Sequence, residues 1–362
     1  MKQWLETREV LDFLAAVRRA GMPAALATVV RVRGSAYRHE GAKLAVSADG
    51  RSAGNVSGGC LEQDVREVAL QVIRSGAPEL RSYCSGADEI AAWDLGVGCE
   101  GQVDVYVEPA DARPRERELL DGRRPFVVCT TLVGKGEKGK GKRVVLTADR
   151  AEGDLGERDM TARTVIKARE LLEAGESGVH EIAGRSIFFD VLMPPPQLVV
   201  LGAGDDARPL VQFAAQAGFR VVVVDRRAGL LTRERFPGAA ALVRSAGDEL
   251  SAAMPLDAEC YAVVMNHNFA DDQAYLRALL RAPVSYIGML GPRQRTDRML
   301  RTLAAEGPVD ESRVYGPVGL DIGTDGAEQV ALAVIAEVLA VRSGRRARSL
   351  RERLAPIHAP ID

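Results

Sequence analysis

The chain is short of several features that would assign it at a glance, and each shortage excludes something. Its five cysteines, Cys60, Cys84, Cys99, Cys129 and Cys260, are odd in number, widely spaced and without a CxxC pair. That usage argues against a disulfide framework or a zinc site and for reduced thiols. No run of about 18 apolar residues occurs, so no membrane-spanning helix is expected. The start, Met1-Lys2-Gln3-Trp4-Leu5-Glu6, reads as the approach to an amphipathic helix and lacks the basic-then-apolar order of a secretory leader. The expectation is a cytoplasmic protein. Excess charge is missing too: 48 Lys+Arg against 50 Asp+Glu leave a net charge of -2, with no global pull toward nucleic acid or an acidic membrane.

What is present points to two domains, since 362 residues exceed one ordinary core. A helix is expected from Thr7 to Ala20, a strand from Ala24 to Arg31, and a hairpin of Lys43 to Ser47 with Arg51 to Val56 about Asp49-Gly50. The most informative stretch follows: Gly54-Asn55-Val56-Ser57-Gly58-Gly59-Cys60-Leu61-Glu62, a strand running through glycines into a helix whose apolar residues Leu61, Val65, Val68, Ala69 and Val72 recur at helical spacing, with Gly76 as the stop. A cysteine in or beside a first helical turn meets unpaired N–H groups and the positive end of the macrodipole, which stabilise a thiolate, and Gly58 and Gly59 leave room for a ligand. Cys60 reads either as a nucleophile beside an anion site or as a small buried residue closing a turn. A second glycine turn, Gly96-Val97-Gly98-Cys99-Glu100-Gly101, precedes an alternating strand, Gln102 to Val107. Phe126 to Val133 and Arg143 to Thr147 form another strand pair about a glycine and lysine tract. That tract lacks both stacking aromatics and the P-loop pattern, and reads as a solvated hairpin tip.

Pro194-Pro195-Pro196 breaks the chain, giving an N-terminal domain over 1–193, a second over 197–342 and a basic tail over 343–362. In the second, the apolar run Gln197 to Leu201 leads into Gly202-Ala203-Gly204-Asp205-Asp206-Ala207, which fits GxGxxA. A helical stretch to Gly218 and a second apolar run closed by Asp225 complete a βαβ unit. Asp225 stands where an acid bonds a ribose hydroxyl. Asp205 and Asp206 place negative charge where a pyrophosphate would rest, with Arg208, Arg226 and Arg227 at hand to offset it. Further strands at Ala241 to Val243, Tyr261 to Met265 and Val284 to Leu290 predict a doubly wound parallel sheet, so the fold class is α/β: an N-terminal α+β domain followed by a Rossmann-type domain. The loops after these strands supply further cofactor-binding candidates. His267 reads as a proton carrier or a capping residue, Gly288 and Gly291 precede Arg293 and Arg295 as an anion clamp at a helix start, and Asp321 lies in the glycine-rich loop before a last helix from Ala327 to Arg342.

With these segments in order, the chain resembles the xanthine dehydrogenase accessory (XdhC/CoxI) family over nearly its full length. The matching segments are Gly34-Ser35-Ala36-Tyr37-Arg38 with Gly41-Ala42-Lys43, the Ser57 to Glu62 turn, Gly98-Cys99 with Glu108-Pro109, and Gly202-Ala203-Gly204. Tyr286-Ile287-Gly288 with Leu290-Gly291, and Gly319-Leu320-Asp321-Ile322-Gly323, complete the set. The sequence departs from the family at Cys84, Asn266, Phe269 and Gly326-Ala327, where Asp, Thr, a second His and Thr-Pro are common. The resemblance implies a maturation factor more than a turnover enzyme: one that binds the molybdenum cofactor, as molybdopterin or its dinucleotide form, supports its sulfuration and delivers it to a molybdenum hydroxylase apo-enzyme of the xanthine or carbon monoxide dehydrogenase type. A cysteine desulfurase-type sulfur donor would be a second partner, and a homodimer stays open. Cys60 and Cys99 are then the reactive pair, with Cys60 as a molybdenum contact, because molybdenum is thiophilic. The competing readings are an NAD(P)-dependent oxidoreductase and a Rossmann scaffold that binds only a protein.

Overall fold

The computed structural model describes residues 2–34, 37–84, 101–132 and 141–354. The chain divides into two compact units between Pro194 and Pro195. In the first unit, α1 (Lys2–Arg19) precedes β1 (Ala24–Gly34), β2 (Lys43–Ser47), β3 (Ser52–Gly54), α2 (Glu62–Ser75), β4 (Glu79–Cys84) and β5 (Gly101–Pro109). These strands form an antiparallel sheet in the order β3-β2-β1-β5-β4. The first helix begins before the expected Thr7 because Trp4 is buried, its ring edge-on to Phe126 at 6.0 Å. Conversely, β3 stops at Gly54, short of the expected Val56, because the N–H groups of Val56 and Ser57 are given to the Glu62 side chain and not to a neighbouring strand.

The segment that follows forms α3 (Pro114–Asp121), β6 (Phe126–Thr131), β7 (Arg143–Leu146), β8 (Ala151–Gly153), α4 (Arg158–Ala174), β9 (Gly178–Ile182) and β10 (Arg185–Leu192), with a second antiparallel sheet ordered β8-β7-β6-β10-β9. Strand alternation explains the layering. On β1, Ala25, Ala27 and Val29 face α2, while Ala24 and Leu26 share a core with Trp4, Leu11, Phe126 and Leu192 of α1 and the second sheet. On β6, Val127 and Cys129 point the other way, onto Met160, Ala168 and Leu171 of α4. The sheets are thus covered on both faces at their middle, where β1, β2, β6 and β10 are buried over most of their length. Charge nevertheless enters this core: buried Lys43 meets buried Asp190 at 2.6 Å, and Arg113 and Arg143 both close on buried Glu108.

The second unit runs β11 (Gln197–Leu201), α5 (Ala207–Gln216), β12 (Arg220–Asp225), β13 (Ala241–Arg244), α6 (Leu250–Ala253), β14 (Cys260–Val264), α7 (Phe269–Leu280), β15 (Tyr286–Met289), α8 (Arg293–Ala304), β16 (Val314–Tyr315) and α9 (Gly326–Arg342). Its six strands are parallel, in the order β13-β12-β11-β14-β15-β16. This is the doubly wound arrangement, and its order reverses between β11 and β14, where the crevice for ligands lies beyond the carboxyl ends of the strands. Every residue of β11 and β14 is buried, with α7 and α8 packed on one face. Among the described residues, no helix is long and apolar enough to cross a membrane.

Candidate functional site

In the first unit the chemistry is presented by the turn at residues 55–61. Val56 and Leu61 are buried and anchor its ends in the core under α2. Between them the Ser57 hydroxyl accepts the N–H groups of Gly59 and Leu61, each at 3.1 Å, and donates to Glu62. Glu62, the first residue of α2, reaches back to the N–H groups of Ser57 at 2.8 Å and Val56 at 3.3 Å. The exchange is that of a capping box, spread over a longer loop. Burial works against the charge on Glu62, yet the Ser57 hydroxyl and these N–H groups outweigh it and hold the carboxyl below its ordinary value. Gly59 sits at φ +120, which a side chain rarely adopts, while a Cβ on Gly58 would press on the Tyr37 ring at 3.3 Å.

Cys60 is exposed on this stiffened turn, its Sγ 3.8 Å from the Ser57 hydroxyl. It stands just ahead of Leu61, the residue that caps α2, and the first turn of that helix already carries Glu62 and Asp64. The reading of Cys60 as a small buried residue closing the turn does not hold, since its side chain is exposed. A thiol so placed can attack, take up a sulfur atom or bind a soft metal. Cys129 and Cys260, by contrast, are buried, and burial pushes their thiols up to about 12 and about 11. Cys99 and the rest of its glycine turn up to Glu100 lie outside the described residues, as does most of the glycine and lysine tract. Two other family segments serve the scaffold: Arg38 pairs with Glu6 of α1, and Lys43 with Asp190.

In the second unit the glycine turn after β11 sits at the switch point. Gly202 has φ +127, and a Cβ there would come within 2.6 Å of the Met265 carbonyl at the end of β14. Gly204 faces open space, so its surface is free for a ligand. Asp225 is buried and accepts four N–H groups: Ala203 N–H at 2.8 Å, Arg227 N–H at 2.8 Å, and Arg227 Nε and Nη2 at 3.0 and 2.8 Å. Burial opposes its charge, and these donors, Arg227 foremost, still hold it below the ordinary carboxylate value. Its carboxylate braces the glycine turn, and a ribose would have to displace those bonds.

The basic residues expected to offset Asp205 and Asp206 are mostly engaged elsewhere. Arg227 is closed on Asp225, and Arg226 bonds Asp271 at 2.9 Å. Asp205 is instead met by Arg235 at 3.0 Å, which also donates to the Ala203 carbonyl, with Arg208 at 3.9 Å. Sequence reasoning missed Arg235 because it lies 30 residues beyond the turn and only the fold returns it. Asp206 faces His267 Nε2 at 3.3 Å, and His267 itself sits at φ 60. The anion clamp is halved: Arg295 is paired with buried Asp272 at 2.7 Å, leaving Arg293 exposed at the start of α8. Gly288 is buried against Val318 and serves packing, Gly291 takes φ +122 ahead of α8, and Asp321 is exposed in the loop before α9. Gly202, Gly204, Asp225 and His267 thus stand at the carboxyl ends of three adjacent strands, β11, β12 and β14.

The comparisons with known proteins follow this division. Residues 198–338 match the model described as the XdhC Rossmann domain, and residues 17–84 match that of the XdhC and CoxI family. A Bacillus subtilis protein described as a probable xanthine dehydrogenase subunit is 30% identical over 321 residues, 88% of this chain and 93% of its own length. The chain belongs to the XdhC and CoxI family. A molybdenum cofactor insertion chaperone of Escherichia coli, PaoD, is 25% identical over 92% of this chain and 88% of its own. A crystal structure described as a xanthine dehydrogenase from Bacillus halodurans superposes with a TM-score of 0.75 at 28% identity, covering 94% of this chain and 98% of that one. Both glycine turns of this family member fall inside the matched segments.

Proposed function

We propose that this protein binds the molybdenum cofactor as cargo, supports its sulfuration and delivers it, in the cytoplasm, to an apo-hydroxylase of the xanthine or carbon monoxide dehydrogenase type. The observation that carries the reading is Cys60, an exposed thiol on a turn that buried residues and the Ser57 to Glu62 exchange hold in one shape. Thiols bind and exchange sulfur as thiolates and favour soft metals. A chaperone for a thiophilic cargo needs such a group in reach of solvent and of a sulfur donor of the cysteine desulfurase type. Ser57, Gly58 and Gly59 shape the turn, and Cys99 would be the second thiol. In the Rossmann unit, Gly204 and the start of α5 offer main-chain N–H groups to a cofactor phosphate, with Arg293 and Asp321 at the rim. The relatives described as a molybdenum cofactor insertion chaperone and a xanthine dehydrogenase subunit support this cargo and client.

The commitment of Asp225 to Ala203 and Arg227 weighs against the NAD(P)-dependent oxidoreductase, which would use that carboxylate for the ribose. Native mass spectrometry of protein from a molybdate-replete host tests the reading. A bound pterin with molybdenum is expected, and bound NAD(P) without molybdenum would contradict it.

A further inference from the structure

Beside the open glycine turn, the carboxyl ends of β14 and β15, the start of α5 and the start of α9 enclose a cavity of about 280 Å³. Its walls are apolar, built from Leu210, Val263, Met265, Leu290, Val330 and Val334, and among the described residues its one ionisable lining group is Asp206. Among the described residues no basic side chain lines it, so it does not favour an anion and leaves phosphates outside. Its size is at the low end for ligand pockets, that of a ring system more than of a whole dinucleotide. His267 Nε2, 3.3 Å from Asp206 Oδ2, fixes the carboxylate, and each of its oxygens keeps acceptor capacity for a further donor. The φ of 60 at His267, rare outside glycine, is the backbone conformation at which that contact is made.

We propose that this cavity takes a flat bicyclic ring carrying a 2-amino-4-oxopyrimidine edge, as in a pterin or a guanine, with Asp206 accepting its two adjacent N–H groups. The proposal rests on reading this unit as a ligand-binding one and names the part of the ligand it grips. A carboxylate only accepts. Guanine and pterin present a ring N–H beside an amino group, two donors in the spacing of a carboxylate's oxygens. Adenine and cytosine present a ring nitrogen lone pair beside the amino group, which Asp206 would repel, so the same residue attracts one class and rejects the other. The aliphatic walls cover the ring faces, and Gly204, bare of side chain, lies where a phosphate tail leaves the cavity.

Ligand-observed NMR titrations of the full chain with 6-methylpterin, guanosine and adenosine test this. Binding of 6-methylpterin alone assigns the cavity to a pterin, guanosine alone to a nucleobase, and both support the proposal, while adenosine stays unbound. Asp206→Asn, at a half-exposed position where the fold tolerates an amide, should weaken the bound ring by about 10- to 100-fold, the loss typical of a hydrogen bond to a charged acceptor. Val330→Trp, which fills the cavity from α9, should abolish ring binding. Adenosine binding as well as guanosine, or unchanged affinity in a folded Asp206→Asn protein, overturns it. Selective ring binding in a protein that never carries molybdenum would keep this assignment and remove the molybdenum reading. Undiminished molybdenum cofactor in Asp206→Asn would do the reverse.

Discussion

The turn at residues 55–61 is held by its neighbours in sequence, whereas the turn at residues 202–206 is held from a distance. Both use a carboxylate to take up main-chain N–H groups. Glu62 reaches back five and six residues and stays partly solvated, while Asp225 reaches across 22 residues and is fully buried. The local clamp is closed by groups within seven residues of one another, and the turn it holds carries an exposed thiol. A buried clamp is part of the core, and it leaves one bare glycine facing outward. In the proposed function the first turn is the group that meets other proteins, and the second is the fixed seat for a ligand.

The sharpest break in that comparison comes inside the second turn. Gly202→Ala must accept both a positive φ and a Cβ within 2.6 Å of the Met265 carbonyl, and should cost about 3 kcal/mol or more in urea unfolding. Gly204→Ala meets nothing and should stay within about 0.5 kcal/mol of wild type. Equal losses at the two positions would show that the turn is not braced as described.

Next in size is the removal of each clamp. Asp225→Ala strands buried N–H groups and should destabilise the protein by about 2–3 kcal/mol, while Glu62→Ala should cost about 1 kcal/mol, the value of a lost cap. Both carboxyls are held below their ordinary values, so each contributes stability above its unfolded pKa and loses it as pH falls through its folded one. Acid unfolding of wild type should therefore steepen below about pH 4.5, the ordinary value for Glu, and part of that slope should vanish in Glu62→Gln. An unchanged pH profile would deny the clamp.

The smallest effect in stability is the most selective in chemistry. With limiting iodoacetamide near pH 8, peptide mapping should find Cys60 modified before Cys129 and Cys260, whose buried thiols are pushed up to about 12 and about 11. Cys60→Ser should fold normally, since the side chain is exposed. Modification of Cys129 first would mean that the core of the first unit opens more readily than its surface turn.

The sequence was most legible where pattern is local and apolar. The runs Gln197 to Leu201 and Tyr261 to Met265 read as strands because a parallel sheet buries both faces, and the βαβ spacing named the second unit. The second sheet of the first unit was mostly missed: β8, β9 and β10 were not foreseen, the last although Ile187 to Leu192 is a buried run, because that strand pairs with β6 across some 60 residues of chain. In the candidate site, Cys60 and the glycine turns were found by motif. The distant partners of the second turn were not, since Arg235 and the α9 wall of the cavity come from far along the chain and carry no local signal.

The central claim is that a molybdenum cargo is held and handed on through Cys60. The most direct test mixes protein purified from a molybdate-replete host with an apo-hydroxylase of the xanthine dehydrogenase type, then follows molybdenum by elemental analysis and hydroxylase activity by turnover. Wild type should transfer molybdenum and restore activity, and folded Cys60→Ser should do so at least about tenfold less, the scale of a lost metal contact. Full activation by Cys60→Ser, or a wild-type protein that carries no molybdenum to transfer, would contradict the account.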